Sequence, residues 1–235
     1  MWLQTVEPAQ VVASLTESLH GGPPIAPLPA DPIERARAVS MLQPTKLVSE
    51  VDAAAVVSTS GSTGAPKGVV LSRAAIRASV EASHAWLGGP GDWVLALPAY
   101  YIAGLMVIAR ACLGGTRVVP VRSDLSDLPG VGNALSAPRY ISLVPAQLAR
   151  ALRHDELIQS LRSFRAVLVG GGPAHGELLN RAATRGIRVV TSYGMSETCG
   201  GCVYDGTPLA GVDVELTDAG RIMIKSPSLF TSYRL

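Results

Sequence analysis

The residues best equipped for chemistry lie between Ser58 and Ser72, where the chain reads Ser-Thr-Ser-Gly-Ser-Thr-Gly-Ala-Pro-Lys-Gly-Val-Val-Leu-Ser. Within Thr59 to Gly68 stand the glycines Gly61, Gly64 and Gly68, the hydroxyl side chains of Thr59, Ser60, Ser62 and Thr63, and Lys67. Glycines let the backbone turn so that N–H groups converge, and hydroxyls add donors at short reach. Lys67 supplies a point charge on a flexible stem. Those are the requirements for holding a polyphosphate. Two other readings compete. Ser/Thr/Gly-rich segments are commonly linkers, but here strand-like and helix-like apolar segments abut the run without a spacer. A P-loop would need glycine immediately before the lysine. This chain has Pro66 there, which removes an N–H from the cradle.

A second set of candidates is Thr191-Ser192-Tyr193-Gly194-Met195-Ser196-Glu197-Thr198. The Glu197 carboxylate and the Ser196 hydroxyl are hard oxygen donors of the kind that suits Mg²⁺ shared with phosphates. The competing reading has Glu197 merely capping a helix start. A third is Gly170-Gly171-Gly172-Pro173, a cluster that any tight strand-to-helix turn could use. Cys199-Gly200-Gly201-Cys202 has the spacing of half a zinc site or a redox pair. With one other cysteine, Cys112, and no second pair, the three are read as reduced thiols, Cys112 in the core.

These groups need a scaffold, and the chain alternates to provide one. At 235 residues, 48% of them hydrophobic and 16% charged, it can bury a sizeable core. The net charge of +2 offers no electrostatic case for nucleic acid. No apolar run is long enough to span a membrane and no leader pattern opens the chain, so a cytoplasmic protein is expected. Residues 1–20 read as one amphipathic helix with Val11, Val12, Leu15 and Leu19 on a face. Gly21–Pro32 reads as an extended connector and Glu34–Leu42 as a helix. Ala53–Val57 is a buried strand, and Ser72 caps a helix to about Leu87 with Ile76 and Val80 inward. Strands are predicted at Trp93–Leu97, Thr116–Val121, Tyr140–Val144, Phe164–Val169 and Ile187–Thr191. Helices are predicted at Leu105–Leu113, partly within Leu125–Leu135, from Pro145 to Leu152, and at His175–Thr184. Val212–Leu216 and Arg221–Lys225 read as short strands. The alternation argues for a parallel α/β sheet with ligands at the carboxyl ends of its strands.

The run Thr59–Gly68 resembles the phosphate-binding motif of the adenylate-forming superfamily of acyl-CoA synthetases, peptide-synthetase adenylation domains and luciferases. It reproduces that pattern, Ser/Thr-Ser-Gly-Ser/Thr-Thr-Gly-x-Pro-Lys-Gly, throughout. Tyr193-Gly194-Met195-Ser196-Glu197 reproduces the family's Tyr-Gly-x-Thr/Ser-Glu motif, and Gly170–Pro173 resembles its glycine turn. Leu97-Pro98-Ala99-Tyr100-Tyr101-Ile102-Ala103-Gly104 resembles a further motif, with Tyr101 where the family often has a pocket histidine. The resemblance implies α/β architecture: stacked, mostly parallel sheets flanked by helices, with a small β-rich end. It implies ATP, Mg²⁺ and coenzyme A as cofactor and co-substrates, a small carboxylic acid as substrate, and a possible homodimer. Thr59, Ser60, Gly61, Ser62, Thr63, Gly64 and Lys67 would hold the β- and γ-phosphates. Gly171, Gly172, Pro173, Ser192, Tyr193, Gly194 and Ser196 would complete the nucleotide site, with Tyr193 stacked on adenine. Lys67, Ser196 and Glu197 would be catalytic, Glu197 also holding the metal. Tyr101, Gly104, Gly171, Ser192 and Gly194 would line the acid pocket.

Within the family the compact N-terminal part, the Leu97–Gly104 segment and the segments from Gly211 to Phe230 look most like o-succinylbenzoate–CoA ligases of menaquinone synthesis. The alternatives are a ligase for another small aryl or acyl acid, or a non-catalytic nucleotide-binding module. The resemblance implies that residues 1–235 form the large N-terminal domain, as two α/β subdomains with a small β part from about residue 203. The small C-terminal domain, with its adenylation lysine, is not in this sequence, so weak turnover with intact nucleotide binding is expected.

Overall fold

The computed structural model describes residues 1–59, 67–136 and 138–234. Ser60, Gly61, Ser62, Thr63 and Gly64, all expected in the phosphate site, lie outside the described residues. The chain enters through strand β1 (Gln4–Val6) and a 3-10 turn, then helix α1 (Val11–Leu19), strand β2 (Ile25–Pro27) and helix α2 (Pro32–Leu42). This corrects the single helix expected over 1–20. Pro8 has no N–H for an unbroken helix, and Gln4–Val6 instead pairs in parallel with Ile25–Pro27. The same pairing makes part of the expected connector a buried strand. Asp31 starts α2 by accepting from the N–H groups of Ile33 and Glu34 at 3.0 and 2.9 Å, with Pro32 at the first helical position.

The middle of the chain follows the expected alternation. Strands β3 (Ala53–Thr59) and β4 (Lys67–Ser72) lead to helix α3 (Arg73–Leu87), capped by the Ser72 hydroxyl, which accepts from Ala75 N at 3.0 Å. Then come β5 (Asp92–Leu95), α4 (Ile102–Gly114), β6 (Val118–Pro120), a 3-10 stretch over Leu128–Ala134, β7 (Arg139–Leu143) and α5 (Pro145–Ala151). Next are α6 (Asp155–Arg162), β8 (Ala166–Gly170), α7 (Gly176–Thr184) and β9 (Val189–Met195). Short strands close the chain: β10 (Gly200–Tyr204), β11 (Thr207–Pro208), β12 (Asp213–Leu216), β13 (Ile222–Lys225) and β14 (Ser232–Arg234).

Two sheets carry the site. A seven-stranded sheet runs β11-β10-β9-β8-β7-β5-β6, parallel from β9 to β6 and antiparallel at the β10–β11 edge. A five-stranded sheet runs β1-β2-β3-β4-β14, parallel through β3 and antiparallel beyond it. A separate hairpin pairs β12 with β13.

Helix α4 lies where the two sheets meet. Every residue from Gly104 to Ala111 is buried, as a helix surrounded on all sides must be. Leu105, Met106 and Ile108 pack in one cluster with Val57, Leu71 and Ile76, while Val107 and Ala111 join another with Trp93, Tyr140 and Leu168. One side chain breaks that apolar run, and it is Arg110.

Candidate active site

A cavity opens where the parallel strands end. Ser142 and Leu143 of β7, Gly170 of β8, and Ser192 and Gly194 of β9 line one side. Ile102, Ala103, Met106 and Arg110 of α4 line the other. This is the carboxyl-end position expected of an α/β sheet. Strand alternation selects which motif residues face it: Ser192 and Gly194 do, while Tyr193 and Met195 alternate to the other face and stay exposed. Gly194 is glycine because β10 comes too close for anything larger. A Cβ there would sit 1.9 Å from the Gly200 carbonyl oxygen.

Arg110 is the residue that the sequence reading missed. It is 3% exposed, donates to the Tyr204 hydroxyl at 3.2 Å through Nη2, and lies 5.1 Å from the Trp93 ring centroid. Its Nε is buried without a partner, and no carboxylate pairs with it among the described residues. Taking a charge out of water costs several kcal/mol unless something compensates it. An uncompensated guanidinium on a cavity wall is able to receive an anion, and its donor geometry suits a carboxylate. The available signal was a lone arginine inside the otherwise apolar helix run Ile102–Leu113. His84 reports the same charge: burial first, then the Arg110 guanidinium, hold its imidazole below the usual histidine range.

The described residues expected on the phosphate side stand at the adjoining ends of β3 and β4 and in the turn after β9. Thr59 and Lys67 are paired ends of β3 and β4, and the Thr59 hydroxyl donates to the Lys67 carbonyl at 3.5 Å. The turn carrying Ser196 and Glu197 is held by Thr198, a buried residue. Its Oγ1 accepts from Met195 N at 3.0 Å and donates to the Gly200 carbonyl at 2.6 Å. The Glu197 carbonyl in turn accepts from Phe230 N at 2.8 Å. Tyr233 of β14 joins the two motifs. Its hydroxyl donates to Glu197 Oε1 at 3.1 Å and its ring lies 4.8 Å from Lys67 Nζ.

Several expected site residues stand elsewhere. Tyr101 does not line the cavity at the strand ends. It is half-exposed, packs against Tyr100 at a centroid distance of 4.5 Å, and borders a second hollow with Ser58, Thr59 and Arg37. Gly104 supports the cavity from behind, because a Cβ there would meet the Pro98 carbonyl oxygen at 2.3 Å. Gly171 reaches the cavity, whereas Gly172 and Pro173 stay exposed outside it. Cys199 and Cys202 are buried and free, the Cys199 thiol pushed up to about 12 by burial. Thiols so placed are packing residues.

The donor set fits a nucleotide-bound Mg²⁺. Such an ion takes one or two carboxylates and completes its shell with phosphate oxygens and water. Glu197 and Ser196 supply hard oxygens beside the Lys67 charge. Among the described residues no cluster of three or more His, Cys, Asp or Glu could hold a metal by itself.

The AMP-binding enzyme family matches residues 4–234. This chain belongs to that family. Among its relatives, the "Probable 2-succinylbenzoate--CoA ligase" of Mycobacterium tuberculosis is 50% identical over 190 residues, covering 78% of this chain and 49% of that protein. The Bacillus subtilis o-succinylbenzoate CoA synthetase in complex with ATP and magnesium ion superposes with a TM-score of 0.71 at 27% identity, covering 95% of this chain and 55% of that one. The same enzyme in complex with the acyl-adenylate intermediate OSB-AMP gives 0.75 at 24% identity, covering 99% and 60%. The chain spans about half the length of the curated relatives it matches. Within the described residues no helix is long and apolar enough to cross a membrane.

Proposed function

We propose that this AMP-binding chain serves an ATP-dependent acid–CoA ligase that works through an acyl-adenylate, with o-succinylbenzoate as the acid. The names of the relatives support the reaction class, and the observation that carries the acid is Arg110. o-Succinylbenzoate has two carboxylates. One becomes the adenylate, and the other must enter the protein as an anion. A buried guanidinium with no counter-charge on the cavity wall is the group that would receive it.

Each residue then has a task. Gly194 and Gly170 keep the strand ends bare enough for the acid to lie against backbone, and Ser192 and Ser142 offer hydroxyls along the wall. Lys67 and Thr59 would bind phosphate oxygens, and Glu197 with Ser196 would hold Mg²⁺ and the α-phosphate. The bound metal would neutralise charge that builds as pyrophosphate departs. The protein's contribution is positioning and electrostatic stabilisation. Residues 1–235 would form the large N-terminal part of a cytoplasmic enzyme, and the thiol of coenzyme A would take the acyl group.

Calorimetry with non-hydrolysable acyl-adenylate mimics tests this reading. We expect the o-succinylbenzoyl mimic to bind at least about tenfold tighter than the benzoyl mimic, since one charge-assisted contact is worth that much. A preference for benzoyl or a medium-chain acyl group would reassign the acid. Equal affinity for all, matching AMP, would leave only a nucleotide site.

A further inference from the structure

Tyr233 sits between two groups of opposite charge that would otherwise be expected to find each other. None of the four ion pairs among the described residues joins Lys67 to Glu197. Instead the Tyr233 hydroxyl donates to Glu197 Oε1 at 3.1 Å, and Lys67 Nζ lies 4.8 Å from the centroid of the Tyr233 ring. A lysine–carboxylate pair would satisfy both charges and would have to be broken before either could meet a ligand. A phenol offers each of them a weaker partner: a neutral donor for the carboxylate, a π face for the ammonium.

The tyrosine is held firmly in that place. It belongs to the edge strand β14, with Tyr233 opposite Val69 and Arg234 opposite Gly68. Arg234 donates to the carbonyls of Gln43 at 2.8 Å and Leu47 at 3.1 Å, and also to those of Leu42 and Lys46. The Ser232 hydroxyl donates to the Glu50 carboxylate. Thr231 N donates to the Val70 carbonyl at 2.9 Å, and the Phe230 ring packs on Tyr233 with centroids 4.6 Å apart.

We propose that Tyr233 is a positioning residue that keeps Lys67 and Glu197 from pairing, so that the lysine stays open to phosphate and the carboxylate to a divalent cation. The inference rests on the reading of Lys67 and Glu197 as phosphate and metal ligands.

The experiment is ATP binding to the full chain by calorimetry, with Mg²⁺ and with EDTA, for wild type, Tyr233→Phe and Tyr233→Leu. The phenylalanine variant keeps the ring under Lys67 and loses only the donor to Glu197. Its metal-free affinity should stay within about twofold of wild type, while the tightening due to Mg²⁺ falls about fivefold. The leucine variant lets the two charges meet, so its metal-free affinity should also drop by about five- to tenfold. A merely structural tyrosine would weaken binding equally in both conditions, and that equal loss would overturn the proposal. So would full Mg²⁺ tightening in Tyr233→Phe, which decides alone should the leucine variant melt early. Wild type that binds no ATP in either condition would overturn the reading of the site and this inference with it. Wild type that tightens with Mg²⁺ beside unchanged variants would overturn this inference only.

Discussion

The two halves of the site are built on opposite principles. The proposed phosphate side lies at the ends of β3 and β4 and in the turn after β9, where Thr59, Lys67, Ser196 and Glu197 are all partly open to water and the Lys67 and Glu197 charges are met by weak, exchangeable partners. The proposed acid side lies in the cavity at the strand ends, where Arg110 is shut away with one hydroxyl and one ring for company. Charge in water is inexpensive and can be redirected by a neighbour such as Tyr233. Charge in the interior carries a standing cost that only a bound anion relieves. On the proposed reading, affinity for nucleotide would be spread over many modest contacts, and selectivity for the acid would be concentrated in one.

That contrast can be broken most sharply at Arg110. Arg110→Leu should cost the o-succinylbenzoyl mimic roughly one hundredfold in affinity, the scale of truncating one partner of a buried charge pair, and leave AMP binding near wild type. Its melting temperature should be equal or higher, since a buried uncompensated cation is replaced by an apolar group and Tyr204 keeps its bond to Ser83 at 3.1 Å. A large fall in melting temperature would show that Arg110 is there for the fold.

Gly194→Ala tests the shared boundary of the two halves. The added Cβ would drive β9 from β10, and we expect about 1–3 kcal/mol of lost stability in denaturant titration, with weaker binding of every adenylate mimic. Thr198→Val should act on one side only. It removes a hydroxyl from Met195 N and the Gly200 carbonyl and costs about 1–3 kcal/mol. Mg²⁺-dependent ATP binding should suffer more than the ratio of o-succinylbenzoyl to benzoyl affinity. Equal damage to both would mean that the halves are not separable.

The smallest effect is a pH slope. The folded chain holds the His84 imidazole below its ordinary value of 6.5, so the unfolded chain takes up that proton first. The contribution to stability is complete above that value and declines as pH falls below it. His84→Gln should flatten the loss of melting temperature between about pH 6.5 and 5 relative to wild type.

The same division explains what could be read in advance. Phosphate chemistry needs particular residue types in consecutive order, so Thr59–Gly68 and Tyr193–Glu197 were legible as motifs. The buried strands were legible because stretches such as Ala53–Val57 and Ala166–Val169 are continuous apolar runs. Arg110 was not, because its meaning depends on what surrounds it in space: a lone arginine in a helix is ordinary until both faces of that helix are covered. Which hollow Tyr101 would border was not legible either, for the converse reason. A motif position specified the backbone and left open which of two hollows the ring would border. Strands β10 and β14 escaped because Gly200–Tyr204 and Ser232–Arg234 carry little intrinsic β signal and pair through tertiary contacts.

The most direct test of the account is one calorimetric comparison: o-succinylbenzoyl and benzoyl adenylate mimics, each against wild type and Arg110→Leu. The account predicts a preference of at least about tenfold for o-succinylbenzoyl in wild type that disappears in Arg110→Leu. A preference that survives the substitution would place the second carboxylate elsewhere and contradict the role assigned to Arg110.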